Sequence, residues 1–118
     1  MDVEADRAHY EADRAKDLEL AATNGIDAAM KANQLDALLF PGANGAGLAA
    51  KPGFPTVIVP FGLVPNSPTP PFPVGFEATP TPMGVSFTGM ACSEPKLLEL
   101  GYAFEQATKR RVPPRAAP

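Results

Sequence analysis

"GVSFTGMACSEPKLLELGYAFEQATKRRVPP", residues 84–114, carries two periods in one stretch. In 84–89, Val85 and Phe87 alternate with Ser86 and Thr88 between glycines, the period-two pattern of a strand with one more polar face. Further on, Leu97, Leu100, Phe104 and Ala107 share one face at helical spacing, with Leu98 and Tyr102 beside them. The junction Cys92-Ser93-Glu94 is either a nucleophile site or a helix start. Ser93 is a favoured N-cap residue. Glu94 and Pro95 suit a first turn, where a carboxylate meets the helix dipole and proline loses no needed donor. Lys109, Arg110 and Arg111 are expected in the last turn, where cations are favoured, and Pro113-Pro114 should end the helix. The junction therefore predicts a helix start. A thiol beside a helix N-terminus does acquire a lowered pKa, but a nucleophile also needs a base. The one histidine, His9, lies on an acidic N-terminal helix with a solvated position as its default.

Upstream, the chain is dominated by proline. It has 15 prolines in 118 residues, about two and a half times the usual share. "LDALLFP" (35–41) is an apolar run closed by proline, and "TVIVPF" (56–61) is β-branched and apolar throughout. Both read as strands buried on both faces. The segment 62–83 is too long and too proline-rich for an ordinary connection and predicts an extended, polyproline-like path over a surface.

The N-terminal part repeats "EADRAHY" (4–10) as "EADRAKD" (11–17), which sets Ala5, Ala8, Ala12 and Ala15 in one stripe. An all-alanine seam makes a weak coiled coil, so the expectation is a helix over 2–23 lying against a larger body through small residues. Arg7 with Glu11 and Asp13 with Lys16 are at spacings that add a few tenths of a kcal/mol each. Asn24-Gly25 is expected to stop this helix, with a short second helix over 26–33.

Other motifs fail on their chemistry. "GANGAG" (42–47) matches the glycines of a phosphate loop, but Leu48 and Ala49 follow where lysine and Ser/Thr are required. A flexible turn between strand and helix is the expectation. "PTPPFP" contains P-x-x-P, a ligand pattern for proline-reading domains, without the flanking cation such ligands commonly carry. There is no G-x-S-x-G, no H-E-x-x-H and no metal-spaced histidine pair.

Composition narrows the classes. Hydrophobic residues are 45% and charged residues 19%, a globular balance. The net charge of −3 gives no general attraction to nucleic acid or anionic lipid. One cysteine makes no internal disulfide and no cysteine-rich zinc site. No apolar run approaches the roughly 20 residues of a membrane span, and the acidic N-terminus is unlike a targeting peptide. The expected setting is cytoplasmic, without cofactor, metal, nucleic acid or membrane.

Taken in order, "LDALLFPG", "AAKPGFPTVIVPFG" and "PMGVSFTGMACSEPKLLELGYAFEQATKRRVPP" resemble the C-terminal end of amidase signature enzymes, most closely a microbial subgroup. Asp36, Gly53, Pro55, Pro60, Gly62, Gly84, Phe87, Gly89, Glu94, Leu97, Leu98, Glu105, Gln106 and Arg111 stand where the family pattern asks, over about residues 25–114. The resemblance implies an α/β fold: an incomplete portion of the amidase signature fold, with about three buried strands of a mixed sheet, an N-terminal helix pair and a C-terminal helix. The segments would be an N-terminal helix (1–24), helix and strands (25–61), the proline-rich loop (62–83), and a strand with the closing helix (84–114). The family hydrolyses amide bonds with a lysine, a serine in a cis peptide and a nucleophilic serine, drawn from an upstream Gly-Gly-Ser-Ser-Gly-Gly-like region. Serine needs a base to take its proton, and the oxyanion needs backbone donors. This sequence has no Ser-Ser pair and no glycine-serine-rich loop, and Ser67, Ser86 and Ser93 each have a structural role available. No catalytic, cofactor or metal residue is carried over. The implied chain is a C-terminal part of an amidase, inactive alone. The alternatives are the complementing half of a split amidase and a proline-rich interaction module. The partners implied are the missing N-terminal amidase region or other copies of the chain.

Overall fold

The alternation read in 84–89 builds the central strand of a three-stranded antiparallel sheet. In the computed structural model, which describes residues 3–76 and 78–113, the strands are β1 (Leu38–Pro41), β2 (Thr56–Val64) and β3 (Thr81–Thr88), in the order β1-β3-β2. All pairing is antiparallel, so within this chain the sheet is not mixed. β2 and β3 extend past their expected ends, which shortens the proline-rich connection to 65–80. Its tip is folded back: Phe76 N–H donates to the Pro73 carbonyl at 3.1 Å, Gly75 has φ 87°, and the Phe72 and Phe76 rings lie 4.4 Å apart. A positive φ at the third position of such a turn is one that glycine supplies without strain. This part of the loop is a built turn rather than a continuous polyproline path.

Register fixes the faces. Val57 and Leu39 lie opposite Phe87, and Val59 and Pro41 lie opposite Val85. These residues share one side of the sheet, because directly opposed residues point the same way. On that side α4 (Glu94–Thr108) packs over β2 and, less extensively, β3. Leu97 is fully buried, and Phe104 meets Phe87 edge-on at 5.9 Å. Gly101 brings the helix close: a Cβ there would lie 3.1 Å from Val57 Cγ1 and 3.3 Å from Val59 Cγ1. The opposite side carries Ser86 and Thr88, both buried. Their hydroxyls are satisfied, Ser86 by the Gly42 carbonyl and Thr88 by Thr56 Oγ1 at 2.9 Å.

The cover is incomplete. Leu39, Ile58 and Leu63 are each more than half exposed, so β1 and β2 are not buried on both faces as expected. The helix supplies α4's face but leaves part of β1 bare, and an apolar sequence cannot by itself show where its cover comes from.

The N-terminal helix departs further from expectation. It runs without a break through α1 (Val3–Asp17), a π-helical stretch (Leu18–Ile26) and α2 (Asp27–Asn33). Asn24-Gly25 does not stop it. The chain widens instead, with Asp27 N–H bonding to the Ala22 carbonyl five residues back, where an α-helix would use four. The stop comes at Gln34, in the left-handed conformation at φ 51°. The alanine stripe does not pack: Ala8, Ala12 and Ala15 are exposed, and the Ala5 side chain lies outside those described. Along its exposed face, His9 Nε2 lies 3.3 Å from Asp13 Oδ2. The buried part starts later. Ala21, Ala22, Ile26 and Met30 are covered, and Ile26 and Met30 join Ala49 in a small core with Leu38, Phe54 and Met90 against it. Lys51, after α3 (Ala46–Ala50), ties back to α1: its ammonium meets Asp17 Oδ1 at 2.7 Å, and its carbonyl accepts from Arg14.

α4 begins where expected, but Ser93 does not cap it with its side chain. The hydroxyl turns back to donate to the Met90 carbonyl at 2.7 Å and sits under Gly89, where any Cβ would lie 2.1 Å from Ser93 Oγ. Ser93→Ala is therefore expected to lower stability by about 1 kcal/mol through this bond. Chemical denaturation checks it. A Ser93→Asp variant that restores stability would show that an N-cap acceptor was wanted after all. At the other end Thr108 is the last helical residue and Lys109 adopts φ 47°. The three cations thus follow the last turn instead of filling it. Pro114 lies outside the described residues.

Candidate functional site

The residues that could do chemistry are scattered and engaged. Ser86 is buried on the central strand with its hydroxyl on Gly42, and Ser93 is held by Met90. Ser67 is exposed in the proline-rich connection. Lys51 is paired with Asp17, and Lys96 with Glu99 at 2.9 Å. The hydrogen bond and charge of Glu99 hold the Lys96 ammonium above its usual pKa, the wrong direction for a general base. Cys92 is exposed at φ 61°, on the turn leading into α4. Glu94 is exposed in the first turn, and His9 is on the exposed part of α1. The sequence placed Cys92, Ser93 and Glu94 side by side, and the fold uses them to turn the chain from strand to helix. Among the described residues no group of three or more His, Cys, Asp or Glu side chains could hold a metal ion. Among them, too, no helix is long and apolar enough to cross a membrane.

"GANGAG" is a turn from β1 into α3, pinned at both ends. Gly42 N–H donates to the Gly84 carbonyl at 2.8 Å, and the Phe40 ring lies on Gly45, where a Cβ would come within 2.3 Å of it. The pinning binds the turn to the sheet. No lysine follows to meet a phosphate, as the sequence indicated.

What the structure does gather is apolar surface. Beside α4, Leu39, Pro41, Phe61, Met83 and Val85 line an open depression of about 240 Å³. The Arg110 guanidinium stands 6.0 Å above the Phe61 ring at one margin. Phe61 is the extra residue where β2 shifts register between Pro60 and Gly62, and such a bulge turns one side chain out of the alternation. The sequence reads 56–61 as one continuous apolar strand without this shift, so the depression was not foreseeable from the apolar pattern alone.

No protein-family profile matches the chain. Individual proteins do. An Arabidopsis thaliana protein described as an amidase is 37% identical over 92 residues, covering 78% of this chain and 15% of that protein. An Arthroderma benhamiae protein, also described as an amidase, is 33% identical over 102 residues, covering 81% of this chain and 17% of its own length. Among solved structures, peptide amidase bound to the competitive inhibitor chymostatin superposes with a TM-score of 0.73 at 35% identity, over 90% of this chain and 22% of that one. Native peptide amidase from Stenotrophomonas maltophilia gives 0.70 at 36% identity, over 90% and 21%. The chain thus spans about a sixth of the curated relatives and about a fifth of the peptide amidases.

Proposed function

Because the chain corresponds in sequence and backbone path to a C-terminal segment of the amidase signature enzymes, we propose that it is the closing structural part of an amide-hydrolysing domain and supplies none of its reacting groups. One observation carries the second half of this reading: both serine hydroxyls of the folded body are donated to backbone carbonyls, and Lys51 and Lys96 are each paired with a carboxylate. A serine hydroxyl becomes nucleophilic only when a base takes its proton. The serine, its base and the oxyanion donors then belong to the portion of the fold that the relatives carry outside the matched segment. The same portion, supplied by a separate chain, would make this a complementing half. The interaction-module reading has less support, since the turn at Pro73–Phe76 folds the proline-rich stretch back on itself.

The purified chain is expected to leave benzamide and propionamide intact. Mixed with a peptide amidase lacking its homologous C-terminal fifth, it is expected to restore turnover. Turnover by the chain alone that survives repurification and disappears in Ser86→Ala or Cys92→Ala would overturn the proposal.

A further inference from the structure

We propose that the outer edge of β1, at Ala37–Leu39, is the seam by which this chain pairs with the rest of an amidase fold; the proposal rests on the reading above. In an antiparallel ladder, alternate residues direct their N–H and C=O to the same neighbour. Gly42 N–H bonds to the Gly84 carbonyl, and Phe40 and Leu38 continue that register against Ser86 and Thr88. These even-numbered residues face β3, so the backbone groups of Ala37, Leu39 and Pro41 point away from the sheet. On the far edge, Gly89 N–H bonds to the Pro55 carbonyl at 3.2 Å. There the odd residues of β2 face β3, and Thr56, Ile58 and Pro60 point outward.

The two edges are not equivalent. Both carry an outward proline, Pro41 and Pro60, which offers no donor. β2 adds a register shift directly after its proline, and prolines and bulges are devices that blunt an edge. The free part of β1 instead adjoins the apolar depression beside α4, to which Leu39 contributes while remaining 60% exposed. A strand laid on Ala37–Leu39 could set an apolar side chain into that depression.

The occupant is argued from size and continuity. The matched peptide amidases follow this backbone through 90% of its length and continue for about four-fifths of theirs beyond it. This chain exposes 8841 Å², against about 6,100 Å² for a compact folded chain of its mass. The excess is larger than the 1,200–2,000 Å² of roughly standard protein interfaces. It is the surface of a piece that meets a large body, and the open edge is where that body's sheet can continue.

The test measures binding of the full chain to the truncated peptide amidase, with recovered turnover as a second readout. Leu39→Pro removes an outward N–H, a change tolerated at edges, and cuts back the side chain that lines the depression, and should weaken binding about tenfold or more. Leu39→Lys keeps the N–H but charges the depression, and should weaken binding as well. Ile58→Pro removes the matching outward donor on β2 and should leave affinity within about threefold. Wild-type affinity in both Leu39 variants would overturn the seam while leaving the proposed function standing. Loss of binding in Ile58→Pro alone would place the seam on β2 and equally overturn it. A wild-type chain that forms a discrete dimer dissolved by Leu39→Pro, and that ignores the truncated enzyme, would make a second copy the occupant. Failure of the wild-type chain to bind the truncated enzyme or restore its turnover would instead remove the proposed function itself.

Discussion

The isolated 118-residue chain is expected to sediment as self-associated species, to bind an apolar dye, and to unfold gradually at low denaturant. Its radius of gyration is 18.9 Å, whereas a compact domain of this length measures about 13–14 Å. Two small cores hold it together, one around Leu97 and one around Ile26, Met30 and Ala49. Between and beyond them Leu39, Ile58, Leu63, Leu98 and Tyr102 stand more than half exposed. Burial contributes about 25 cal/mol per Å² only where cover exists, and open strand edges invite pairing. Adding the truncated peptide amidase should convert the mixture to one heteromeric species with a sharper transition. Analytical ultracentrifugation with urea titration measures both states. A monomer that unfolds cooperatively at high denaturant without a partner would show that the chain closes its own core.

Leu97→Ala should release α4 from the sheet. The side chain is fully buried, and such truncations cost about 2–5 kcal/mol, comparable to the whole stability of an ordinary small domain at its lower end. Gly101→Leu should do the same by the opposite route. Its Cβ alone would stand 3.1 Å from Val57, and the rest of the side chain has nowhere to go without lifting the helix; overpacking costs about 1–3 kcal/mol. In the assembled protein, both variants should lose hydrogen-exchange protection across α4 and with it the restored turnover. Tyr102→Ala, on the exposed side of the same helix, should change stability by no more than about 0.5 kcal/mol. Full α4 protection in Leu97→Ala would mean that the helix is held from elsewhere.

The elements legible in the sequence were those whose signals are local. The period of Val85 and Phe87 and the helical spacing of Leu97 to Phe104 located β3 and α4, and Ser93-Glu94-Pro95 marked the turn between them. What failed depended on distant partners. The alanine stripe has a periodicity fit for packing, yet Ala8, Ala12 and Ala15 stand exposed. Asn24-Gly25 reads as a stop, but widening the helix keeps the backbone bonded through it. Ser93 has the right type and place for a cap, but its hydroxyl donates back to the Met90 carbonyl and makes no cap bond to the helix's N–H groups. The candidate site follows the same logic. Engagement of the serines with Gly42 and Met90 joins residues 44 and three positions apart, and only the shorter link had a local signal at all. The apolar depression needs the Phe61 bulge, which alternation cannot announce.

The π-helical stretch makes the orientation of the first helix a matter of residue count rather than of side-chain identity. Each residue in an α-helix advances the chain by about 100°. The wide turns between Leu18 and Ile26 work as a phase adjuster between α1 and the core. Substitutions there leave the phase intact. Inserting a single residue beside Gly25, with no further widening to absorb it, swings everything before it by about a quarter turn. Arg14 and Asp17 would then rotate off Lys51, and Ala21 and Ala22 off their covered positions, while the helix itself remained whole. A length change in this stretch acts at a distance of several turns, on contacts that no alteration at the same position could reach by size or charge.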